Sequence, residues 1–96
     1  MKLEPMVEKR KDDILRISGQ HGARNVRIFG SRARKDSSET SDLDILVEMQ
    51  ANSSLLDLIA IKQDLEDLLG CKVDVVTDSS LSPYIKDDIL KEAVSL

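Results

Sequence analysis

The sequence has one cysteine, one histidine, no tryptophan and only two aromatic rings, Phe29 and Tyr84, in 96 residues. With Cys71 alone no internal disulfide can form, so a reducing compartment, the cytoplasm, is expected. Cys71 stands just ahead of a β-branched run and reads as structural. The single histidine, His21, lies in a connector between Gly19 and Gly22 with no acid motif beside it to orient an imidazole, which argues against a catalytic base. No apolar run approaches the roughly 20 residues of a membrane span. The opening stretch MKLEPMVEKRKDD is charged and has no apolar h-region, so no secretory signal is expected. A basic surplus is also missing: 14 Lys and Arg against 18 Asp and Glu leave a net charge of −4. That balance argues against nucleic-acid binding dominated by phosphate contacts, and no direct nucleic acid is expected. The chain is expected to form one domain over residues 1–96, too short for a second, substrate-binding one.

What the sequence does contain is concentrated in residues 26–48, VRIFGSRARKDSSETSDLDILVE. Val26, Ile28 and Phe29 form a short strand that Gly30 stops where the backbone must turn sharply or approach something closely. Ser31 reads as the N-cap of a short basic helix, 32–35, and KDSSETS as a polar loop. A second strand then runs from Asp42 to about Glu48. Side chains two apart on a strand share a face, so Asp42 and Asp44 point one way while Leu43, Ile45 and Val47 point the other. Two carboxylates on one face of an apolar strand repel each other and lose hydration unless a cation sits between them. Oxygen ligands without His or Cys suit Mg²⁺.

A third acid, Asp74, interrupts the β-branched run Val73–Val76. Were that strand beside the Asp42 strand, three carboxylates would meet on one rim and hold two Mg²⁺ about 4 Å apart, the arrangement for in-line phosphoryl displacement. The phosphates of a nucleoside triphosphate would then rest on the Gly30-Ser31 turn. Arg24, Arg27, Arg32, Arg34 and Lys35 read either as a positive patch around that turn or as a solvated face.

Gly30-Ser31, ten residues, Asp42-x-Asp44 and a later single Asp in a strand resemble the signature of the DNA polymerase β-like nucleotidyltransferase superfamily. More narrowly, GSRAR, SDLDILVE, LG-x-x-VDVVT and the closing Lys91-Glu92-Ala93-Val94 resemble the minimal nucleotidyltransferases, or MNT domains, which are antitoxin partners of HEPN-domain toxins. Lys35 stands where many relatives carry glycine, a change that bears on the loop and not on the metal site. The resemblance implies an α/β (α+β) fold with a palm-like core, a small mixed sheet packed against helices. It also implies that Asp42, Asp44 and Asp74 hold two Mg²⁺, that Gly30 and Ser31 touch the triphosphate of ATP, and that Arg34 lies near the phosphates or the partner. Ser41 either hydrogen-bonds a carboxylate beside the nucleotide or ends the loop.

The remaining segments frame this centre. Residues 4–18 are predicted to form one amphipathic helix with Leu3, Val7, Ile14 and Ile17 on one stripe, ended by Gly19 and Gly22. A second helix is predicted over 55–69, with Ser54 and Asp57 as a capping box, Gly70 as C-cap, and Leu58, Ile61, Leu65 and Leu68 buried. Its acids Asp64, Glu66 and Asp67 read as a wet side. Ser82-Pro83 opens a last helix to about Val94, with Ile85, Ile89, Leu90, Ala93 and Val94 facing the sheet or a partner. Tyr84 is expected to pack, a self-added nucleotide being the rival use.

These readings converge on a Mg²⁺-dependent nucleotidyltransferase. The resemblance makes it an antitoxin that moves AMP from ATP to a tyrosine hydroxyl of a cognate HEPN toxin. Two rivals are an antitoxin that neutralises by contact alone, and an enzyme modifying a small molecule of the aminoglycoside type, which would need an oligomer to build its acceptor pocket. Homo- or hetero-oligomers are compatible with all three.

Overall fold

Alternation in the second strand sets the layout. Leu43, Ile45 and Val47 are fully buried, and they meet Val26, Ile28 and Val73 from neighbouring strands in one apolar layer. The computed structural model describes residues 5–30 and 42–96. Ser31, Arg32, Arg34, Lys35 and Ser41, with the helix and polar loop expected over 32–41, lie outside the described residues, as does Leu3.

Two short helices, α1 (Pro5–Lys9) and α2 (Lys11–Gln20), lead into β1 (Ala23–Phe29). Then come β2 (Leu43–Met49), α3 (Leu55–Leu69), β3 (Val73–Thr77), a 3₁₀ turn over Asp78–Ser80, α4 (Pro83–Glu92) and a two-residue β4 (Val94–Ser95). The strands form one sheet in the order β3-β2-β1-β4. β1 is antiparallel to both β2 and β4, whereas β2 and β3 are parallel, so the sheet is mixed as expected. The crossover from β2 to β3 is α3, the ordinary way to join parallel strands.

Val7, Ile14 and Ile17 from the first two helices, and Ile61 and Leu65 from α3, cover one face of this sheet. Burying five branched side chains against seven strand residues is the main source of stability, at about 1.5–3 kcal/mol each. α3 matches its predicted ends because both caps are local. The Ser54 N–H donates to Asp57 Oδ2 at 2.9 Å, and Gly70 closes the helix at φ 69°. Leu58 and Leu68 are only partly buried, and Leu55, Leu56 and Ile59 at the start of the helix are exposed.

Several expectations need correcting. The N-terminal helix is two helices meeting at Arg10, and Gly19 lies inside α2, which runs on to Gln20 before Gly22 turns the chain at φ 81°. The last helix stops at Glu92, and Val94–Ser95 instead pair with Arg27 and Ile28 on β1. No residue of α4 is fully buried, so it is a loose cover rather than a second core layer. Tyr84 does not pack: it is 92% exposed at the start of α4.

Candidate functional site

The site is built where three strand segments meet. In the parallel register Asp44 stands directly opposite Asp74, and in the antiparallel one Phe29 stands opposite Asp44. Neighbouring strands are about 4.8 Å apart, and parallel partners project to the same face. The flanking residues Leu43, Ile45 and Val73 are fully buried on the helix-covered face, so the two carboxylates point to the other side. Asp44 is half-buried and Asp74 exposed. Asp42 is exposed one residue ahead of β2, whose first N–H, from Leu43, donates to the Lys72 carbonyl at 2.9 Å.

Gly30 completes the arrangement. It follows β1 at φ 77°, a conformation that disfavours L side chains, and a Cβ added there would run into Asp44 Oδ2. Its N–H donates to Glu92 Oε1 at 2.9 Å. That bond bears on the expected phosphate turn, because the glycine's own amide is committed to a carboxylate from the end of α4. Nothing local announces Glu92, which is 62 residues away in sequence; its only signal is its place in the KEAV run.

Lys62 and Glu66, one turn apart on α3, flank Asp74 from the outer edge of β3. Lys62 Nζ donates to Glu66 Oε2 at 2.8 Å and to the Val73 carbonyl at 3.0 Å, while the Val73 N–H donates to Glu66 Oε2 at 3.0 Å. The hydrogen bond to Glu66 holds Lys62 above its ordinary pKa against partial desolvation, and the charges of Glu66, Asp74 and Asp42 act in the same upward direction. Asp74 and Asp42 therefore lie within the electrostatic reach of one ammonium. Glu66 is correspondingly held below its ordinary value, first by the Lys62 hydrogen bond and then by the Val73 N–H. Glu66 was expected on a wet side with no strand to meet; it meets β3.

Among the described residues no three His, Cys, Asp or Glu side chains are gathered into a metal-ligand cluster. Asp44 and Asp74 thus form an open rim rather than a closed cage. This suits Mg²⁺, which keeps several waters and is held by one or two carboxylates together with substrate phosphates. The donors are oxygen only, the chemistry Mg²⁺ prefers.

The basic patch is differently used. Arg27 is committed to Asp78 at 2.6 Å, with side chains 11% and 25% exposed, and Arg24 pairs with Glu48 at 3.5 Å. Neither Arg24 nor Arg27 is thus left over for a phosphate at Gly30. His21 has an acid partner after all: its Nε2 stands 3.0 Å from Asp64 Oδ2, tying the α2–β1 connector to α3. A cavity of about 310 Å³ lined by Arg24, Glu48, Met49, Thr77, Asp78 and Ser79 opens at the far ends of β2 and β3. Glu48 and Met49 lie four or more residues beyond Asp44, and Thr77, Asp78 and Ser79 three or more beyond Asp74, with Arg24 opposite Glu48; at roughly 10 Å or more, the cavity is separate from the acid rim. No helix among the described residues is long and apolar enough to cross a membrane.

Comparison with known proteins gives a consistent result. Residues 8–96 match the family model described as a nucleotidyltransferase domain. A Methanocaldococcus jannaschii protein, MJ0435, provisionally named a protein adenylyltransferase, is 50% identical over 86 residues, covering 90% of this chain and 92% of that protein. Protein adenylyltransferase MntA of Thermococcus cleftensis is 44% identical over 73 residues, covering 76% of this chain and 74% of that protein. Among solved structures, a provisionally assigned minimal nucleotidyltransferase is 41% identical with a TM-score of 0.86, covering 94% of this chain and 92% of that one. A toxin–antitoxin crystal structure with AMP-PNP shares the fold at 20% identity and a TM-score of 0.76, covering 88% of this chain and 70% of that one.

Proposed function

The chain belongs to the nucleotidyltransferase domain family and is an enzyme of that class; from this premise we propose that it transfers AMP from ATP to a tyrosine hydroxyl of a cognate HEPN-type toxin, and so acts as an antitoxin. The relatives named as protein adenylyltransferases support the acceptor class, and the shared fold of a toxin–antitoxin pair is in keeping with the partner. A single cysteine is in keeping with a cytoplasmic setting.

The observation that carries the reading is the parallel pairing of Asp44 with Asp74 beside Gly30. Asp42 and Asp44 would hold both Mg²⁺ ions, one of which carries the triphosphate, and Asp74 would help hold the other, beside the acceptor. Bound Mg²⁺ supplies charge neutralisation on the phosphates and a lowered pKa for the acceptor hydroxyl. The acceptor oxygen forms a bond to the α-phosphorus while the bond to the β-phosphate oxygen breaks, and pyrophosphate departs. Asp74, the exposed acid, would accept the hydroxyl proton. Ser31 and Arg34, outside the described residues, are the groups proposed to meet the triphosphate, with Ser41 as a further candidate; the Gly30 N–H itself is held by Glu92. Transfer of this kind depends on positioning and charge far more than on covalent help from the protein.

The test is incubation of the chain with a cognate HEPN-type toxin, Mg²⁺ and each nucleoside triphosphate in turn, read by intact mass. The expected result is a gain of one or more AMP units on the toxin with ATP, absent for Asp44→Asn. No mass gain, with toxin neutralisation preserved in the Asp42→Asn, Asp44→Asn double variant, would instead establish an antitoxin acting by contact.

A further inference from the structure

β3 is an edge strand, and its inner side is already engaged: the Lys72 carbonyl accepts from Leu43 and the ladder continues along β2. Among the described residues no strand satisfies the main-chain groups on its outer side, a condition proteins ordinarily blunt. Here α3 reaches around to do so. One oxygen of Glu66 accepts from the Val73 N–H at 3.0 Å and from the Lys62 ammonium at 2.8 Å, and the same ammonium donates to the Val73 carbonyl at 3.0 Å. Both main-chain groups of Val73 are thus clamped by an i,i+4 pair, at the peptide joined directly to Asp74. Val73 is also fully buried, so its side chain is fixed from one face and its backbone from the edge.

We infer that Lys62 and Glu66 are positioning residues for Asp74: by holding the peptide that precedes it, they fix where its carboxylate stands opposite Asp44 and so set the affinity of the acid rim for a divalent cation. The pair touches neither nucleotide nor acceptor in this scheme; it acts through Val73. The inference rests on the proposed nucleotidyl transfer, in which Asp74 is a metal ligand. Partners that orient a metal ligand without touching the metal typically change affinity or activity by about 10- to 100-fold when removed. A clamp that served only to cover the strand edge would change stability and leave cation affinity alone.

The experiment measures Mn²⁺ affinity of the full chain, with a non-hydrolysable ATP analogue present, from paramagnetic broadening of the Asp74 backbone amide. Wild type is compared with Glu66→Ala, Glu66→Gln and Lys62→Met, and AMP transfer to the toxin is followed separately as a function of Mg²⁺. Glu66→Ala is expected to weaken Mn²⁺ by about 10-fold or more and to raise the Mg²⁺ concentration for half-maximal transfer in step. Glu66→Gln, whose amide oxygen still accepts the Val73 N–H, recovers most of the loss. Should Glu66→Ala fail to fold, Lys62→Met applies the same criterion through the Val73 carbonyl. Wild-type Mn²⁺ affinity in folded Glu66→Ala or Lys62→Met, with only the melting temperature lowered, would overturn the inference. A wild-type chain that binds Mn²⁺ at Asp74 but transfers no AMP would refute the proposed function, while the affinity comparison would still decide the role of the clamp.

Discussion

The carboxylate of Asp44 fills the space that a side chain on Gly30 would need. The turn after β1 and the acid on β2 are therefore one unit. Gly30→Ala forces a left-handed φ on a residue that disfavours it, at roughly 1–2 kcal/mol, and also drives a methyl into Asp44 Oδ2. Gly22 offers a control, since it too has a positive φ, 81°, but the added atom would meet Ser53 instead. Gly30→Ala is expected to lower AMP transfer on the order of 100-fold, the scale of a misplaced reacting group. Gly22→Ala should lose comparable stability in urea titration while its folded fraction keeps the wild-type rate.

Arg27 and Asp78 provide a second test, of the frame rather than of the rim. Their 2.6 Å contact links β1 across β2 to the turn after β3, and both side chains are mostly shielded from water. Arg27→Met should destabilise by about 1.5–3 kcal/mol, as expected for a hydrogen bond between charged groups. The Arg27→Met, Asp78→Asn double variant should cost less than the two single changes summed, because neither charge is then left buried alone. Chemical denaturation of the four proteins supplies the cycle.

Stability should depend on pH through the Lys62–Glu66 pair. Glu66 is held below its ordinary value of 4.5 by the Lys62 hydrogen bond and the Val73 N–H. Its contribution is therefore fully present above 4.5 and is lost as pH falls from there through the lowered folded value. Lys62 is held above its ordinary 10.5, chiefly by the same hydrogen bond, so its contribution is present below 10.5 and is lost as pH rises beyond it. Between those limits the pair adds no slope. Thermal melts of wild type and Glu66→Gln across the acid limb should show the shallower fall in the variant.

How much of this was legible in the sequence follows from the range of each signal. Leu43, Ile45 and Val47 against Asp42 and Asp44 is a period-two pattern, and the strand formed as it reads. The Ser54–Asp57 box and Gly70 are local chemistry, and α3 keeps their boundaries. By contrast, β4 is two residues long and exists only because β1 offers an edge, which no periodicity announces. The His21–Asp64 contact spans 43 residues and the Gly30–Glu92 bond spans 62, so neither leaves a trace in spacing. Glu66 was misread for a different reason. Its apolar neighbours mark the buried stripe correctly, but the turn at Gly70 folds β3 back alongside α3, and a position that is wet on an isolated helix becomes the cap of a strand edge. Tyr84 shows the opposite error: aromatic scarcity suggested a packing role, yet α4 covers the sheet too loosely to bury the ring.

The most direct measurement is the initial rate of AMP transfer to the toxin for Asp44→Asn, Asp74→Asn and the two combined. If both acids serve one cation site, each single change removes nearly all transfer and the double variant is no slower than the worse single one, since residues acting as a unit are not additive. A wild-type rate in folded Asp74→Asn, or independent multiplicative losses from the two positions, would contradict the shared site.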